Sequence, residues 1–187
     1  MNDVWKLMAA RRHTGLRRLV APGPDEAALL RMMDAAAQAP DHGLLRPWRF
    51  VLVPPARRAD LGAVFEAALV AKQPDADLDV RAAAREKAQH APCLLVAVLV
   101  DAPDTAIPTE EKLVSLGCAL QNVLLGAQAL GFATGLASGG ALGSPEMRAL
   151  LGLAPHERAV CFVGIGTPGR TKTPRERPQP GAFFSSL

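Results

Sequence analysis

The sequence is poor in the aromatic side chains that stack on nucleic-acid bases. Its 187 residues contain no tyrosine, and Phe, Trp and Tyr together make up 4% of the chain. The formal net charge is only +3. Proteins that hold single-stranded nucleic acids combine basic grooves with aromatic platforms, so this composition argues against a nucleic-acid partner.

Long apolar runs are missing as well. The run from 93 to 100 is among the longest, and it is far shorter than the ~20 residues that a membrane-spanning helix needs. The first residues, M-N-D-V-W-K-L-M, include an early aspartate and no signal-type apolar segment. We therefore expect a cytoplasmic protein with no membrane partner.

Metal-ligand spacing and the common catalytic motifs are absent too. The three cysteines (Cys93, Cys118 and Cys161) and the four histidines are scattered, which predicts reduced, buried thiols and no metal site. A phosphate-binding P-loop and a G-x-S-x-G nucleophile motif do not occur. The glycine-rich residues 164–169 follow a predicted strand, but no helix follows them, so they do not form a dinucleotide-binding loop.

What the chain does contain is enough apolar material for a folded core. Hydrophobic residues make up 49% and charged residues 21%, which is typical of a globular protein. We find no internal repeat and no sign of a second domain, and we expect a single domain over residues 1–187. Helical segments alternate with short apolar strands, which favours an α+β or α/β fold.

Two of these segments have strong signatures. Residues Cys93–Val100 form a continuous apolar run, as expected for a strand buried on both faces, and Ala159–Gly166 resemble it. Residues Thr109–Leu130 predict a helix about 33 Å long at ~1.5 Å per residue, with Thr109 as its cap. Past its first turn this helix is apolar nearly all round, so we expect a second subunit to cover it in an obligate homodimer.

Residues 39–53, A-P-D-H-G-L-L-R-P-W-R-F-V-L-V, link a predicted helix to a predicted strand. Pro40 indicates the helix end, and Pro47 biases Arg46 toward an extended conformation before the strand begins at Trp48. Such a loop can place polar groups at the lip of a pocket while its flanks stay fixed in the core.

Basic residues cluster near both ends of the chain. The N-terminal group is Arg11, Arg12, Arg17 and Arg18, and the C-terminal group is Arg170, Lys172, Arg175 and Arg177. The residues alone leave two interpretations open. Each group is either solvated surface, or the two groups converge on one anion.

Several short segments, taken in order, resemble those of the nitroreductase-like family of FMN-dependent flavoproteins, in particular its small single-domain branch. The resemblance covers nearly the whole chain. The segments are R-R-H near the N-terminus, A-P-D-H followed by R-P-W-R-F-V-L-V, A-P-C-L-L-V-A-V, G-C-A-L-Q-N-V-L-L-G-A-Q-A-L-G-F, L-A-S-G and V-G-I-G-T-P.

The resemblance implies an α+β fold with a central, mostly antiparallel sheet flanked by helices, a long buried central helix and a domain-swapped type of homodimer. It also implies FMN at the subunit interface and NAD(P)H as co-substrate. Hydride would pass by ping-pong turnover to a nitroaromatic, a quinone or a similar small acceptor. In such chemistry the protein orients the cofactor and tunes its electrostatics, so no side chain is expected to be catalytic.

The family's cofactor-binding residues map onto three parts of this sequence. Arg11, Arg12 and His13 match the phosphate-binding segment, together with Arg170 or Lys172. For Arg11 and Arg12 the alternative is a solvated helix C-terminus, where cations are favourable in any case.

The A-P-D-H segment, residues 39–42, matches the family segment that lies along the flavin, and Gln38 and His42 match positions expected to touch FMN. For His42 the alternative is a loop histidine bonded to the backbone. Residues Leu136, Ala137, Ser138 and Gly139 match a segment that reaches FMN from the partner chain, while Pro47 and Trp48 are expected to hold the loop in place.

The sequence also departs from the family pattern. His13 stands where serine is usual, Gln38 where a close relative can carry arginine, and Leu136 and Ala137 where an aromatic residue and a cation are usual. Each lost charge-assisted contact costs roughly 1.5–3 kcal/mol of binding free energy. These departures motivate a second hypothesis, in which the protein binds a flavin or another anionic ligand without turnover.

Overall fold

The computed structural model describes residues 3–103, 106–169 and 176–187. The helices are α1 (Asp3–Ala10), α2 (Glu26–Ala36), α3 (Arg58–Lys72), α4 (Leu78–Glu86), α5 (Thr109–Ala129) and α6 (Pro145–Leu151). The strands are β1 (Leu19–Val20), β2 (Trp48–Leu52), β3 (Cys93–Val100), β4 (Ala133–Ala137) and β5 (Glu157–Pro168). No helix in these described ranges combines the length and the apolarity that a bilayer crossing requires.

The strands form one sheet around β5. The order is β1-β5-β3-β2, and β4 pairs with β5 as well. All the pairs between named strands are antiparallel. The expected α+β fold, with an antiparallel sheet flanked by helices, is therefore confirmed.

Strand β3 joins the two halves of the core, because it is buried along nearly its whole length. On one face its residues pack with α2 and α5, and on the other face they pack with α3 and α6. The bounds of β3 are those that the sequence predicted. The apolar run without alternation is explained by helices on both sides of the sheet.

Helix α5 is the long central helix that the sequence predicted. Its buried residues include Leu116, Ala119, Val123, Leu124 and Ala127. Val114 is nevertheless 68% exposed. The apolar helix thus presents an uncovered side in the single chain.

The prediction that Thr109 caps α5 is wrong. The cap position is Pro108, and Thr109 is the first helical residue. The Thr109 hydroxyl instead donates to Asp101 at 2.7 Å, and the buried Lys112 ammonium binds the same carboxylate at 2.8 Å. A tertiary ion pair therefore holds this helix end in place of a local cap.

The prediction for Arg46 is also wrong, because its φ is 48°, in the left-handed region. The Trp48 N–H donates to the Arg46 carbonyl at 2.7 Å, and the Val100 N–H donates to the Pro47 carbonyl at 3.0 Å. These contacts fix the chain as it enters β2. The pairing of β2 with β3 thus outweighs the local bias from Pro47.

Two other differences concern short segments. Strand β1, which the sequence did not predict, has only two residues and pairs with the last two of β5. The polar, proline-containing sequence of residues 72–80 predicts an irregular surface segment, but helix α4 already begins at Leu78. By contrast, residues 144–146, S-P-E, predict a helix start with Ser144 as the cap. This prediction is confirmed, since the Ser144 hydroxyl accepts from the Met147 N–H at 3.1 Å.

An ion pair crosses the sheet from β2 to β5. Arg49 donates to both carboxylate oxygens of Glu157, from Nε at 2.6 Å and from Nη2 at 2.8 Å. The Ala154 N–H also donates to Glu157, at 2.9 Å. The hydrogen bonds from Arg49, and to a lesser degree that from Ala154, lower the pKa of Glu157 to about 2.

We expect Glu157→Gln to lower the free energy of unfolding by about 1–2 kcal/mol near neutral pH, because the charge-assisted pair is lost and Arg49 is partly solvated. The pKa of Glu157 in the folded protein lies below its ordinary value. The contribution of the Arg49–Glu157 pair to the free energy of unfolding is therefore complete above pH 4.5 and is lost toward pH 2. Urea unfolding at several pH values measures it. The difference between the two proteins should shrink over that range, whereas Glu86→Gln, at an exposed position, should change little. A difference independent of pH would contradict the assignment.

Candidate functional site

Arg177, from the C-terminal basic group, lies against the N-terminal basic group. The Arg177 guanidinium donates to the Arg11 carbonyl at 3.1 Å. Burial, and then the charges of Arg177 and Arg12, lower the pKa of Arg11. Within the described residues no carboxylate forms an ion pair with any of the three. Like charges held together in this way favour the binding of an anion.

Arg12 also serves the end of helix α1. Its Nη1 donates to the Ala9 carbonyl and, at 3.2 Å, to the Arg11 carbonyl. The last carbonyls of a helix have no partner within the helix, and a cation is favourable there. The helix-terminus interpretation therefore accounts for part of what Arg12 does.

His13 joins this arginine segment to strand β4. It forms a parallel bridge with Thr134, and the Thr14 N–H donates to the Thr134 carbonyl at 2.8 Å. The Leu136 N–H donates to His13 Nδ1 at 3.4 Å. Gly135, between Thr134 and Leu136, allows the N-terminal segment to lie this close to β4, because a Cβ at position 135 would overlap the Thr14 carbonyl. The structure thus brings together His13 and Leu136, two of the predicted site residues.

A cavity of about 540 Å³ opens beside the end of β4. The predicted residues Ala137, Ser138 and Gly139 form one wall, and residues 15–18 form another. Helices α3 and α4 close the remaining side, and the floor is apolar, with Phe65 and Phe162 in edge-to-face contact at 5.4 Å. The cavity has the mixed character of a small-molecule site, with apolar walls and a few polar groups.

The charged groups around this cavity are all basic among the described residues that line it. They are Arg17, Arg18, Lys72 and Lys87, together with His90. Burial is the main cause that lowers the pKa of His90; Arg17 and Lys87 lower it further, and Glu86 raises it. This shift disfavours the charged form of His90, so the lysines and arginines are the main source of positive charge in the cavity.

Sequence reasoning missed three of these cavity residues, namely Lys72, Lys87 and His90. Lys72 ends helix α3, and Lys87 begins the turn after α4. A basic residue at a helix C-terminus is common for local reasons alone, so it gives no signal of a binding site. Arg17 and Arg18 were visible only as members of the N-terminal cluster.

Two further predicted site residues, Gln38 and His42, lie in another part of the structure. They follow α2, and His42 Nδ1 pairs with Glu111 Oε2 at 2.7 Å in a smaller cleft at the start of α5. His42 thus has a carboxylate partner in place of the backbone partner considered above. Arg170 and Lys172 fall outside the described residues.

Gln38 and His42 are also distant from the cavity. The loop after them leads into β2, which is separated from β4 by β3 and β5. At ~4.8 Å per strand, β2 and β4 are about 14 Å apart. The cavity and the His42 cleft also lie on opposite faces of the sheet, one beside α3 and the other beside α5. One chain therefore does not bring these residues to the cavity.

Comparison with solved structures shows the same fold in other proteins. A nitroreductase-like family protein from Bacillus cereus superimposes with a TM-score of 0.82 at 19% identity, over 100% of this chain and 97% of that chain. A Bacteroides fragilis nitroreductase with bound FMN gives a TM-score of 0.72 at 21% identity, over 100% of both chains. The predicted nitroreductase-like fold is confirmed.

Comparison of sequences adds the family. A Haemophilus influenzae protein named "Putative NAD(P)H nitroreductase" is 31% identical over 175 residues, which are 93% of this chain and 92% of that protein. The model of the Nitroreductase family matches residues 9–167. The chain therefore belongs to the nitroreductase family.

Proposed function

We propose that the protein is an FMN-dependent NAD(P)H oxidoreductase and that the cavity beside β4 holds the cofactor. The observation that supports this most directly is the cavity itself, with apolar walls, basic groups and no acidic lining residue among those described. A nitroreductase of the same fold is known with bound FMN, and the Haemophilus influenzae relative is named for NAD(P)H.

The described residues fit such a cofactor in two ways. An anionic phosphate suits the arginine cluster of Arg11, Arg12 and Arg177, because guanidinium groups bind phosphate through paired hydrogen bonds. A flat aromatic ring system suits the apolar cavity floor and the wall at Ser138 and Gly139, where side chains are small or absent. In this arrangement His13 acts as the link between the phosphate site and the cavity wall.

When bound, FMN would accept hydride from NAD(P)H and pass electrons to a small acceptor such as a nitroaromatic or a quinone, with the two substrates using the site in turn. The residues of the chain orient the ring and exclude water from one side of it. Arg17 and Lys87 place positive charge in the cavity, which favours the gain of negative charge there. No side chain needs to act as a nucleophile.

We further propose that the active form is a homodimer. The single chain exposes several large apolar side chains on α1, on α5 and near the C-terminus: Trp5 (63%), Val114 (68%) and Phe184 (74%). Exposed apolar groups of this size on separate elements are typical of an interface. A second copy would cover them and would bring the Gln38–His42 face of one chain toward the cavity of the other.

Purified protein should contain FMN or take it up on incubation, which gives the visible absorbance of a flavin. It should then oxidise NADH or NADPH steadily in the presence of menadione or a nitroaromatic. Chromatographic identification of the released chromophore and a steady-state assay measure the two properties. Protein that stays colourless after incubation with FMN contradicts the proposal. Bound flavin with no turnover across a panel of acceptors would favour a non-catalytic binding protein.

Replacing Arg11 tests the phosphate site. We expect Arg11→Met to weaken FMN binding by about 1.5–3 kcal/mol, or roughly 10- to 150-fold in Kd, because one charge-assisted contact is lost. Fluorescence titration of the apoprotein measures the Kd. The thermal stability of the apoprotein should not fall, since the change relieves repulsion from Arg12 and Arg177. Arg31→Met, at an exposed position of α2, is the matched control. Equal affinities for the two variants would argue against phosphate binding at Arg11.

Introducing a charged side chain on the exposed apolar side of α5 tests whether this side forms the dimer interface. Val114→Asp should convert a dimer into a monomer, because an interface would have to bury the carboxylate without a partner. Light scattering coupled to size-exclusion chromatography measures the molar mass. The control is Leu78→Asp, which places the same charge at an exposed apolar residue at the start of α4 and should leave the dimer intact. A wild-type protein that is monomeric at micromolar concentration would exclude this interface.

A further inference from the structure

Arg58 is a buried cation in an unusual place. It is the first residue of helix α3 and only 4% exposed. No carboxylate among the described residues forms an ion pair with it. A positive charge at a helix N-terminus is also unfavourable with respect to the helix dipole. Burial of an arginine under these conditions requires strong compensating contacts elsewhere.

The compensating contacts are main-chain carbonyls. The Arg58 guanidinium donates from Nε to Val53 O at 3.0 Å and from Nη1 to Ala88 O at 2.7 Å. It also donates to His90 O at 3.2 Å and to Ala91 O at 3.4 Å. Three of the four carbonyls belong to residues 88–91, just after α4. Carbonyls at the end of a helical segment lack partners within it, and the guanidinium supplies donors at this end.

The same segment contains a strained residue. Ala91 has a φ of 64°, in the left-handed region that non-glycine residues rarely adopt. It is buried, and Pro92 follows it directly before β3 begins. Strain of this kind persists only where the surroundings hold the backbone in place. Arg58 contacts the His90 and Ala91 carbonyls, which lie before and after the Ala91 φ torsion. It is therefore positioned to hold the backbone of Ala91 in this conformation.

The conformation of residues 87–91 decides what faces the cavity, because both Lys87 and His90 line it. We propose that Arg58 is a positioning residue of the cofactor site: by holding the carbonyls of residues 88–91, it fixes the turn that presents Lys87 and His90 to the cavity. Its role as a part of the cofactor site rests on the proposed function, whereas the hold on the turn does not.

The geometry requires a guanidinium. Its planar fork donates in several fixed directions at once, whereas a lysine ammonium is a point charge on a flexible stem. Arg58→Lys keeps the charge and much of the volume but cannot reach all four carbonyls. The adjacent Arg57 is a matched control, because it is exposed and pairs with Asp60 at 2.5 Å, away from the turn.

The experiment compares Arg58→Lys with Arg57→Lys in three measurements. Hydrogen exchange of the amides in residues 87–91 and the NMR signal of the His90 imidazole report on the turn, and fluorescence titration gives the affinity for FMN. We expect Arg58→Lys to speed exchange in this segment about tenfold, to shift the His90 signal, and to weaken FMN binding about tenfold. Arg57→Lys should match the wild type in all three.

A second substitution tests whether strain at Ala91 is the link. Glycine adopts a positive φ without strain, so Ala91→Gly should restore most of the FMN affinity and slow exchange of the Arg58→Lys protein. If Arg58→Lys does not fold, the double variant should. Failure of both to fold would overturn the proposal, because it would show that Arg58 supports the whole chain and not this turn.

The outcomes separate this proposal from the proposed function. If the wild type binds no FMN, the cofactor assignment fails, while hydrogen exchange and the His90 signal still test the hold on the turn. If FMN binds and Arg58→Lys behaves as Arg57→Lys does, the positioning role is wrong and the cofactor assignment stands.

Discussion

The close approach of Thr14 to Gly135 determines the layout of the site. Because Gly135 has no side chain, the N-terminal segment can lie against β4 and form the backbone hydrogen bond from Thr14 to Thr134. This contact carries Arg11 and Arg12 to one side and leads residues 15–18 over the sheet to line the cavity. A larger residue at position 135 would push this segment away, and it would separate the arginine cluster from the cavity wall.

Positive charge that has no ion-pair partner among the described residues is the second constraint on the site. Arg11, Arg12 and Arg177 repel one another, and the cavity adds Arg17, Arg18, Lys72 and Lys87 without an acidic lining residue among those described. Such an arrangement destabilises the empty protein and is relieved when an anion binds, so ligand binding adds to the stability of the folded chain. From the family resemblance, an aromatic residue and a cation are expected at Leu136 and Ala137. In this chain, Lys72 of α3 and Lys87 of the turn after α4 bring positive charge to the same cavity.

The sequence predicted the parts of the fold that depend on local pattern. The uninterrupted apolar run of β3, the long apolar helix α5 and the Ser144 cap were all visible, because burial and capping leave periodic or short-range signals. It did not predict the left-handed Arg46, the two-residue strand β1 or the cavity residues Lys87 and His90. Each of these depends on contacts between distant segments, such as the pairing of β2 with β3 or the carbonyls held by Arg58, and single-sequence patterns do not report such contacts.

The most direct test of the account is a crystal structure of the protein grown with FMN. The account predicts that the phosphate lies against the guanidinium groups of Arg11 and Arg177 and that the ring system enters the cavity bounded by Ala137–Gly139, with the Gln38–His42 face of a second copy opposite it. A flavin bound on another surface, or a cavity that remains empty at saturating FMN while the arginine cluster faces solvent, would contradict it.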